Sequence, residues 1–561
     1  PLPRDSPPLL LFEDSFPFAP GHESAGMVEE IGAFNNNLFI HRWTTRLHET
    51  HTTTNQRTMT DSTDASNKRL FWACFVALVA TSFVFGLRAN IIGDWQSEFG
   101  LSEAEKGRIF GVGLWPFAIS IIVFSLIIDK IGYKTTAFIA MACHIASLLL
   151  TLFAKTPTAL YWSVFLIAIA NGMVEAFINP VIATAFKKEK AKWLNILHAG
   201  WPAGLALGAL TSIVLGDADW HLKYAMCFIP VVIYAFLILP CKFPVNERVA
   251  AKVPYRDMLG QVGAVGFFII TWLLVLGIEQ IAASMNPDVN LPFVVPLAIA
   301  LVVAVLAGLY TRSFGHWMFL LVLITMGPLA TTELGTDSWM PDLLGADFTP
   351  AQAGWIFIYV STIMTILRFY AGPIVHRFSP IGLLVVSAIV AIIGLLFLSQ
   401  AAAFWIIVAA TVYALGKTFL WSTTLGLVSE QFPKGGPLTL NGVSAVGVLG
   451  MGILGTPIMG GLQDKGISAD LKENHPALFE EVANEPQKLT FIGEVQTLDA
   501  DKVNALSSED QATITGTKYP HKKAAFRQVA ILPAFMLVCY LIIFFYFRSK
   551  GGYKPQELGD H

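Results

Sequence analysis

A chain of 561 residues that is 54% hydrophobic and only 14% charged lies far below the roughly 25% charge of ordinary soluble domains, which leaves a polytopic membrane protein. The formal charge of −3, with no basic block, excludes nucleic acid as a partner. Cys74, Cys143, Cys227, Cys241 and Cys539 all fall in apolar runs without a CxxC pair or a pattern shared with His, so they are packing residues and no metal is expected.

Residues 1–58 do not begin with Met, lack a signal-peptide pattern and are rich in Thr, His, Asn and Pro. They are expected to be disordered or spurious. Met59 is a plausible start, and a polar stub to residue 68 leads into the first span. Apolar runs near 20 residues, long enough for a core of about 30 Å, then occur at 70–94, 107–128, 135–154, 159–186, 193–215 and 223–241. These six form an N-terminal bundle, 69–241. A basic connector and two further runs, 258–283 and 292–310, fill 242–316. Six more follow at 317–343, 354–376, 380–400, 404–428, 438–462 and 526–547, a C-terminal bundle over 317–548 with a polar loop at 464–525, and 549–561 is a polar tail.

Fourteen spans put both termini on one side. DKIGYK, KKEKAK, the 242–257 connector, HRF and RSK all fall on that side, which the positive-inside rule makes the cytoplasm of a bacterial inner membrane. Self-comparison shows a duplication. LSEAEKGRIF followed 19 residues later by DK matches FTPAQAGWIF followed at the same distance by HR, pairing Gly107 with Gly354, Phe110 with Phe357, Asp129 with His376 and Lys130 with Arg377; Leu194-Asn195 pairs with Leu440-Asn441, and Gly204 with Gly450. The expected fold is an all-α membrane protein of two parallel six-helix repeats plus two inserted central helices, with a midplane site between the repeats.

Charges inside such spans face a cavity or a partner. Glu175 lies about 16 residues into its run, near the midplane by the ~1.5 Å rise per residue. Burial there disfavours the charged form, a property useful to a proton carrier near neutral pH; the alternative is a structural pair with an Arg. Pro180 frees the carbonyl of Ala176, opening the helix beside Asn179, as a working kink or a static one. Arg88 and, in the duplicate helix, Glu333 and Asp337 lie at similar depth. Asn90 is the repeat mate of Asp337. A contact from Arg88 to Asp337 or Glu333 is favoured over snorkelling of all three to water. Lys417 either holds a substrate carboxylate or neutralises an acid. His198 donates to a solute, relays a proton or is a satisfied core histidine, and Trp115, Trp201, Trp339 and Trp421 are stacking platforms or packing.

FSLIIDKIGYK, with Asp129, Lys130, Gly132 and Lys134, and RFYAGPIVHRFSP, with Arg368, Gly372, Pro373 and Arg377, resemble the loop motif of the major facilitator superfamily, a resemblance that extends over residues 69–548 apart from the two middle helices and the outer loop. Glu175, Asn179 and Pro180, then WLNILHAGWPAGLALG, then Glu333, Trp339 and Pro341, resemble its fucose, galactose and hexose proton symporters, although His198 stands where that branch has Gln and Ala89 where its first helix has Asp. Arg88-Ala89-Asn90 and Glu175-Ala176 resemble organic-anion symporters instead. The resemblance implies a secondary transporter working by alternating access, with proton-coupled uptake of a sugar or similar polar solute; the alternative is a proton-coupled sugar-acid symporter. On the reading of the buried polar groups, proton coupling is expected through Glu175, Asp337 and Glu333 and substrate contacts from Arg88, Asn90, Asn179, His198, Trp201, Trp339 and Lys417; the resemblance implies gating by Asp129, Lys130, Arg368, His376 and Arg377. The partners are a small solute, protons and the bilayer, with no cofactor and a monomeric state expected. No P-loop, HExxH or GxSxG is present, which argues against an enzyme or an ATP-driven pump; a sensor built on the 464–525 loop is the remaining competitor.

Overall fold

The computed structural model describes residues 36–101, 103–285, 291–337, 348–489 and 493–558. Pro1–Asp64 forms a unit of its own, helical over its described residues 36–64, where no regular structure is expected from sequence. The second unit, Ala65–His561, carries the membrane-spanning helices.

The first half of this unit contains the membrane part of α1 (Asn36–Phe99), α2 (Glu103–Gly111), α3 (Trp115–Ile131), α4 (Tyr133–Leu152), α5 (Pro157–Ala185), α6 (Lys190–Leu197) continuing into α7 (Gly200–Leu215), and α8 (Trp220–Ala225) continuing into α9 (Phe228–Ile238). The connector carries α10 (Glu247–Ala250), and the inserted pair is α11 (Tyr255–Met285) and α12 (Val294–Thr311). The second half contains α13 (Trp317–Ala330), α14 (Pro350–Phe369) with α15 (Ala371–Phe378), α16 (Pro380–Leu398), and α17 (Phe404–Lys417) with α18 (Leu420–Gln431). Next come α19 (Gly436–Gly450) with α20 (Thr456–Asn474), the short α21 (Pro476–Val482) and α22 (Ala500–Ala505), then α23 (Ser508–Val529) and α24 (Ile531–Ser549).

Thirteen helical runs among the described residues are long and apolar enough to cross a bilayer, where fourteen are expected from sequence. The difference lies in the second span. Instead of one run over 107–128, the chain turns at 112–114, with the amide of Leu114 donating to the carbonyl of Gly111 (2.9 Å), and restarts at Trp115-Pro116 as the 17-residue α3. Proline fits a first helical turn because its missing donor has no partner there in any case. Gly113 lies at the break beside Arg88: a Cβ on it would fall 2.2 Å from that guanidinium, so a larger residue would have to displace the arginine side chain.

Two further departures from regular helix bear on the site. Thr331–Gly335 and Met451–Gly455 form π turns, one continuing α13 and one joining α19 to α20, and they pack on each other; a Cβ on Gly455 would fall 1.9 Å from Oγ1 of Thr331. In the inserted pair, α11 breaks at Gly263 (φ 61°, ψ −175°), where Gly315 approaches so closely that a Cβ on Gly263 would sit 2.0 Å from its nitrogen. Below the break, Tyr255 donates to the carbonyl of Leu126 in α3 (3.2 Å); above it, Gly277 lies against Ile453.

Helices crossing lipid must satisfy their backbone internally, so what distinguishes them is which faces are covered. Every residue from Ala170 to Thr184 in α5 is buried, as is every residue of α18, while α12 shows Leu306, Leu309 and Tyr310 to the surroundings. The buried helices form the seam between halves: α3 packs on α19, α7 on α14 and α6 on α18. Within the second half, α16 and α17 touch through glycines; a Cβ on Gly416 would lie 2.3 Å from the nitrogen of Ala391. Gly416→Val is therefore expected to destabilise the protein by about 1–3 kcal/mol through overpacking, read as a lower midpoint of thermal unfolding in detergent.

The Lys/Arg-rich end is closed by contacts between halves. Glu430 of α18 accepts from the backbone amide of Ala191 in α6 (3.0 Å), Lys190 reaches the carbonyl of Ser429 (3.4 Å), and His376 of α15 meets Glu189 (3.1 Å). Tyr553 of the tail also donates to Glu430 (2.7 Å). At the opposite end the 464–525 loop has a small core of Ile467, Leu471, Phe479, Val482 and Ile514 beside an antiparallel hairpin pairing Gln487–Leu489 with Gly493–Val495.

Candidate functional site

Where α5, α6 and α7 of the first half face the Thr331–Gly335 turn, α14 and α18 of the second, a cavity of about 20 Å³ is lined by Glu175, His198 and Trp201 on one side and Glu333, Arg368 and Trp421 on the other. That volume holds about one water molecule. Glu175 and Glu333 are both nearly inaccessible, at 3% and 1% exposed.

On the first-half side, Nδ2 of Asn179 donates to Oε2 of Glu175 (2.7 Å) and to the backbone carbonyl of Glu175 (3.2 Å), one helical turn back. With that amide nitrogen used for donation, its Oδ1 accepts, so Nε2 of His198 donates to it (2.9 Å). The Pro180 break lies next to this chain. The carbonyl of Ala176, which Pro180 leaves without its helical donor, receives Nδ2 of Asn441 from α19 (2.9 Å).

Arg368 spans the seam. Its Nη2 donates to Oε1 of Glu333 (2.5 Å), its Nη1 to the carbonyl of His198 (2.8 Å) and its Nε to the carbonyl of Thr418 (2.7 Å). The planar guanidinium suits three divergent acceptors in a way a lysine cannot. The other carboxylate oxygen of Glu333 accepts from the amide of Trp421 (3.0 Å). One turn outward Lys417, fully buried at the end of α17, is ion-paired with Asp337, reaches the carbonyl of Glu333 (3.4 Å) and lies over the ring of Tyr413 (5.2 Å). Tyr413 in turn bonds Thr336 (2.9 Å) and the carbonyl of Thr332.

The structure brings together Glu175, Asn179, His198, Trp201, Glu333 and Arg368, with Asp337 and Lys417 adjoining. Three expectations are corrected. The acids Glu333 and Asp337 are taken by Arg368 and Lys417 and not by Arg88, which lies beside Gly113 with its guanidinium over Phe85 (5.0 Å). Arg368 is placed by its motif among the charges of the cytoplasmic end, yet it is 1% exposed in the central site, because α14 carries it to the seam before the chain turns at Tyr370. Asn90 is exposed and bonds the carbonyl of Gly86 in its own helix (2.8 Å), away from the cavity. Trp339 lies outside the described residues.

Of the remaining gating candidates, Asp129 is bound by Arg248 of α10 (2.6 and 3.2 Å), Lys130 is exposed with its amine 5.9 Å from the ring of Tyr255, and Arg377 is exposed. Sequence reasoning passed over Arg248, Tyr413, Glu430 and, as a functional residue, Asn441. Only Asn441 had a signal, its place in the repeat.

Beyond Trp201 and Trp421, toward the end away from the basic loops, a larger cavity of about 770 Å³ opens among Ile92, Lys106, Arg108, Trp115, Tyr161 and Leu449, with Gly277 and Gln280 of the inserted α11 in its wall. Val448 lines both cavities.

Comparison with known proteins agrees with this layout. Residues 70–340 match the family model described as Major Facilitator Superfamily. The niacin transporter NiaP of Acinetobacter baylyi is 22% identical over 277 residues, 49% of this chain and 59% of that protein, so the match spans less than two thirds of its length. Among solved structures, the fucose:proton symporter FucP of E. coli superimposes with a TM-score of 0.54 at 14% identity, covering 84% of this chain and 98% of that one. The human organic anion transporter MFSD10 gives 0.53 at 10% identity, covering 85% and 99%.

The likenesses to solved structures show that the two helical bundles share the fold of these proteins. The family-model match takes in a little under half of the chain and makes that part similar to the Major Facilitator Superfamily.

Proposed function

We propose that the chain is a secondary transporter that works by alternating access and couples a proton to the uptake of a small polar solute, a sugar or a compound like one. The observation that carries this reading is the unequal treatment of the buried acids. Glu333 is matched by Arg368 and Asp337 by Lys417, whereas Glu175 accepts from the neutral amide of Asn179. Glu175 can therefore gain and lose a proton without breaking an ion pair. Because both second-half cations are engaged by acids, a neutral solute is favoured over an anion. Asn179 and His198 are its polar contacts, and Trp201 and Trp421 offer it apolar faces.

A cavity with room for one water must widen before any sugar binds, so the halves have to part at the seam. The Lys/Arg-rich end, closed here, is assigned to the cytoplasm by its charge, and the 770 Å³ cavity is the entrance from outside. A second reading, symport of a sugar acid or other organic anion, is favoured by Lys106 and Arg108 at that entrance and by the relative described as a niacin transporter.

The test is solute-induced proton movement in proteoliposomes with a panel of hexoses, deoxyhexoses and matching sugar acids. Proton entry driven by neutral sugars is expected. Movement with the acids alone would replace this reading by the second, and silence across the panel would overturn both.

A further inference from the structure

Asn195 and Asn441 are repeat mates, and each crosses the seam. Oδ1 of Asn195, in α6 of the first half, accepts from Oγ of Ser422 (2.6 Å) and Oγ1 of Thr423 (3.2 Å) in α18 of the second; Nδ2 of Asn441, in α19 of the second half, donates to the carbonyl of Ala176 in α5 of the first (2.9 Å). Asn441 follows Asn195 by 246 residues, and Ser422 follows Ala176 by the same 246. The two contacts are thus the same contact made twice, once from each repeat.

They differ in what they bind. The residue 246 beyond Pro180 is Gly426, which keeps its backbone N–H, so the second copy has no broken turn and Asn195 meets side-chain hydroxyls. In the first copy Pro180 leaves the Ala176 carbonyl exposed to the seam, one residue after Glu175, and the other half supplies the missing donor. Asn441 is fully buried, and its Oδ1 has no hydrogen-bond partner among the described residues. Burying half of an amide unsatisfied is unfavourable, so the bond made by Nδ2 is the contribution the side chain makes.

We propose that Asn441 is a positioning residue for Glu175: it supplies, from the opposite half, the hydrogen bond that Pro180 removes, so the turn carrying Glu175 is braced while the halves are apposed at this level and unbraced when they part. Its functional meaning rests on the reading of Glu175 as the proton site. The geometry makes the position of the halves felt at Glu175 through one backbone carbonyl, and Asn195 holds the symmetry-related contact without that consequence.

The test is a double-mutant cycle read without any solute. Spin labels at Lys188→Cys and Lys550→Cys, exposed positions of the two halves at the basic end, report the ratio of closed to open molecules by double electron–electron resonance in nanodiscs, the five native cysteines having been replaced. Asn441→Leu is expected to shift that ratio about tenfold toward open, the effect of losing a hydrogen bond and orphaning a buried carbonyl. In a Pro180→Ala background, where residue 180 again donates to Ala176, the same substitution is expected to shift it less than about twofold. Should Asn441→Leu alone fail to fold, recovery of folded protein in the Pro180→Ala background is the equivalent positive result. An unchanged ratio in Asn441→Leu, equal shifts in both backgrounds, or no recovery would overturn the proposal. Glu175→Gln, assayed for proton movement in proteoliposomes, answers separately: its loss of coupling with a flat cycle removes the brace alone, and an intact cycle with undiminished coupling leaves the brace without Glu175 as its beneficiary, which also overturns the assignment.

Discussion

Arg368→Met is expected to destabilise the folded protein by about 3–5 kcal/mol, the range for removing one member of a buried ion pair. The side chain makes three hydrogen bonds to Glu333, His198 and Thr418, and it and Glu333 are each 1% exposed. Without the guanidinium, the Glu333 carboxylate is left in a space with room for one water, the Thr418 carbonyl loses the donation from Arg368, and the His198 carbonyl keeps the amide of Trp201. Arg368→Lys restores the charge but not the planar fork, so it should fall between wild type and Met. The double variant Arg368→Met with Glu333→Gln should recover a large part of the loss, because the uncompensated charge goes with it. Thermal unfolding of the four proteins in one detergent decides the matter: if the double variant is as unstable as Arg368→Met, charge burial is not the cause.

Glu175→Gln is expected to abolish proton-driven accumulation of solute, a loss of at least about a hundredfold in the gradient sustained, while solute exchange across the membrane persists. The amide preserves the size of the side chain and a partner for Asn179 but cannot carry a proton. Glu175 does not titrate alone: His198 reaches it through Asn179, Glu333 and Arg368 face it across the cavity, and His144 bonds Asn171 (2.8 Å) one turn before it in α5. Wild-type uptake should fall as external pH rises and protons become scarce, and exchange by the variant should be indifferent to pH over the same interval. Accumulation and exchange measured in parallel give the answer; a variant that still concentrates solute excludes Glu175 as the coupling site.

All the spans but the second, the inserted pair and the duplication were legible because hydropathy and a nearly constant offset are properties of the chain in one dimension. So was the Pro180 break, down to the carbonyl it frees. The pairing of charges was not. Which cation meets which acid depends on how each helix is rotated, and a four-residue separation puts two side chains on one face only in an α-helix. Glu333 stands in a π turn, with Asp337 just beyond it. The extra residue of that turn rotates the residues after it, so Glu333 points to α14 and Arg368 while Asp337 points to α17 and Lys417. Arg88 was assigned a distant partner for want of any sign that the second span would turn at 112–114, bringing Gly113 beside its guanidinium. Arg368 was misplaced for a different reason: a motif position tells which loop a residue precedes, not how deep its side chain is buried.

The inserted helix α11 touches both halves, α3 through Tyr255 at its start and the turn at Ile453 through Gly277 farther on, and it also packs on α13 and α19 of the second half. A rod pinned to two bodies that swing apart must either snap a pin or carry a joint between them. The break at Gly263 lies between Tyr255 and Gly277, so α11 already has a bend at the point where such a joint would be needed.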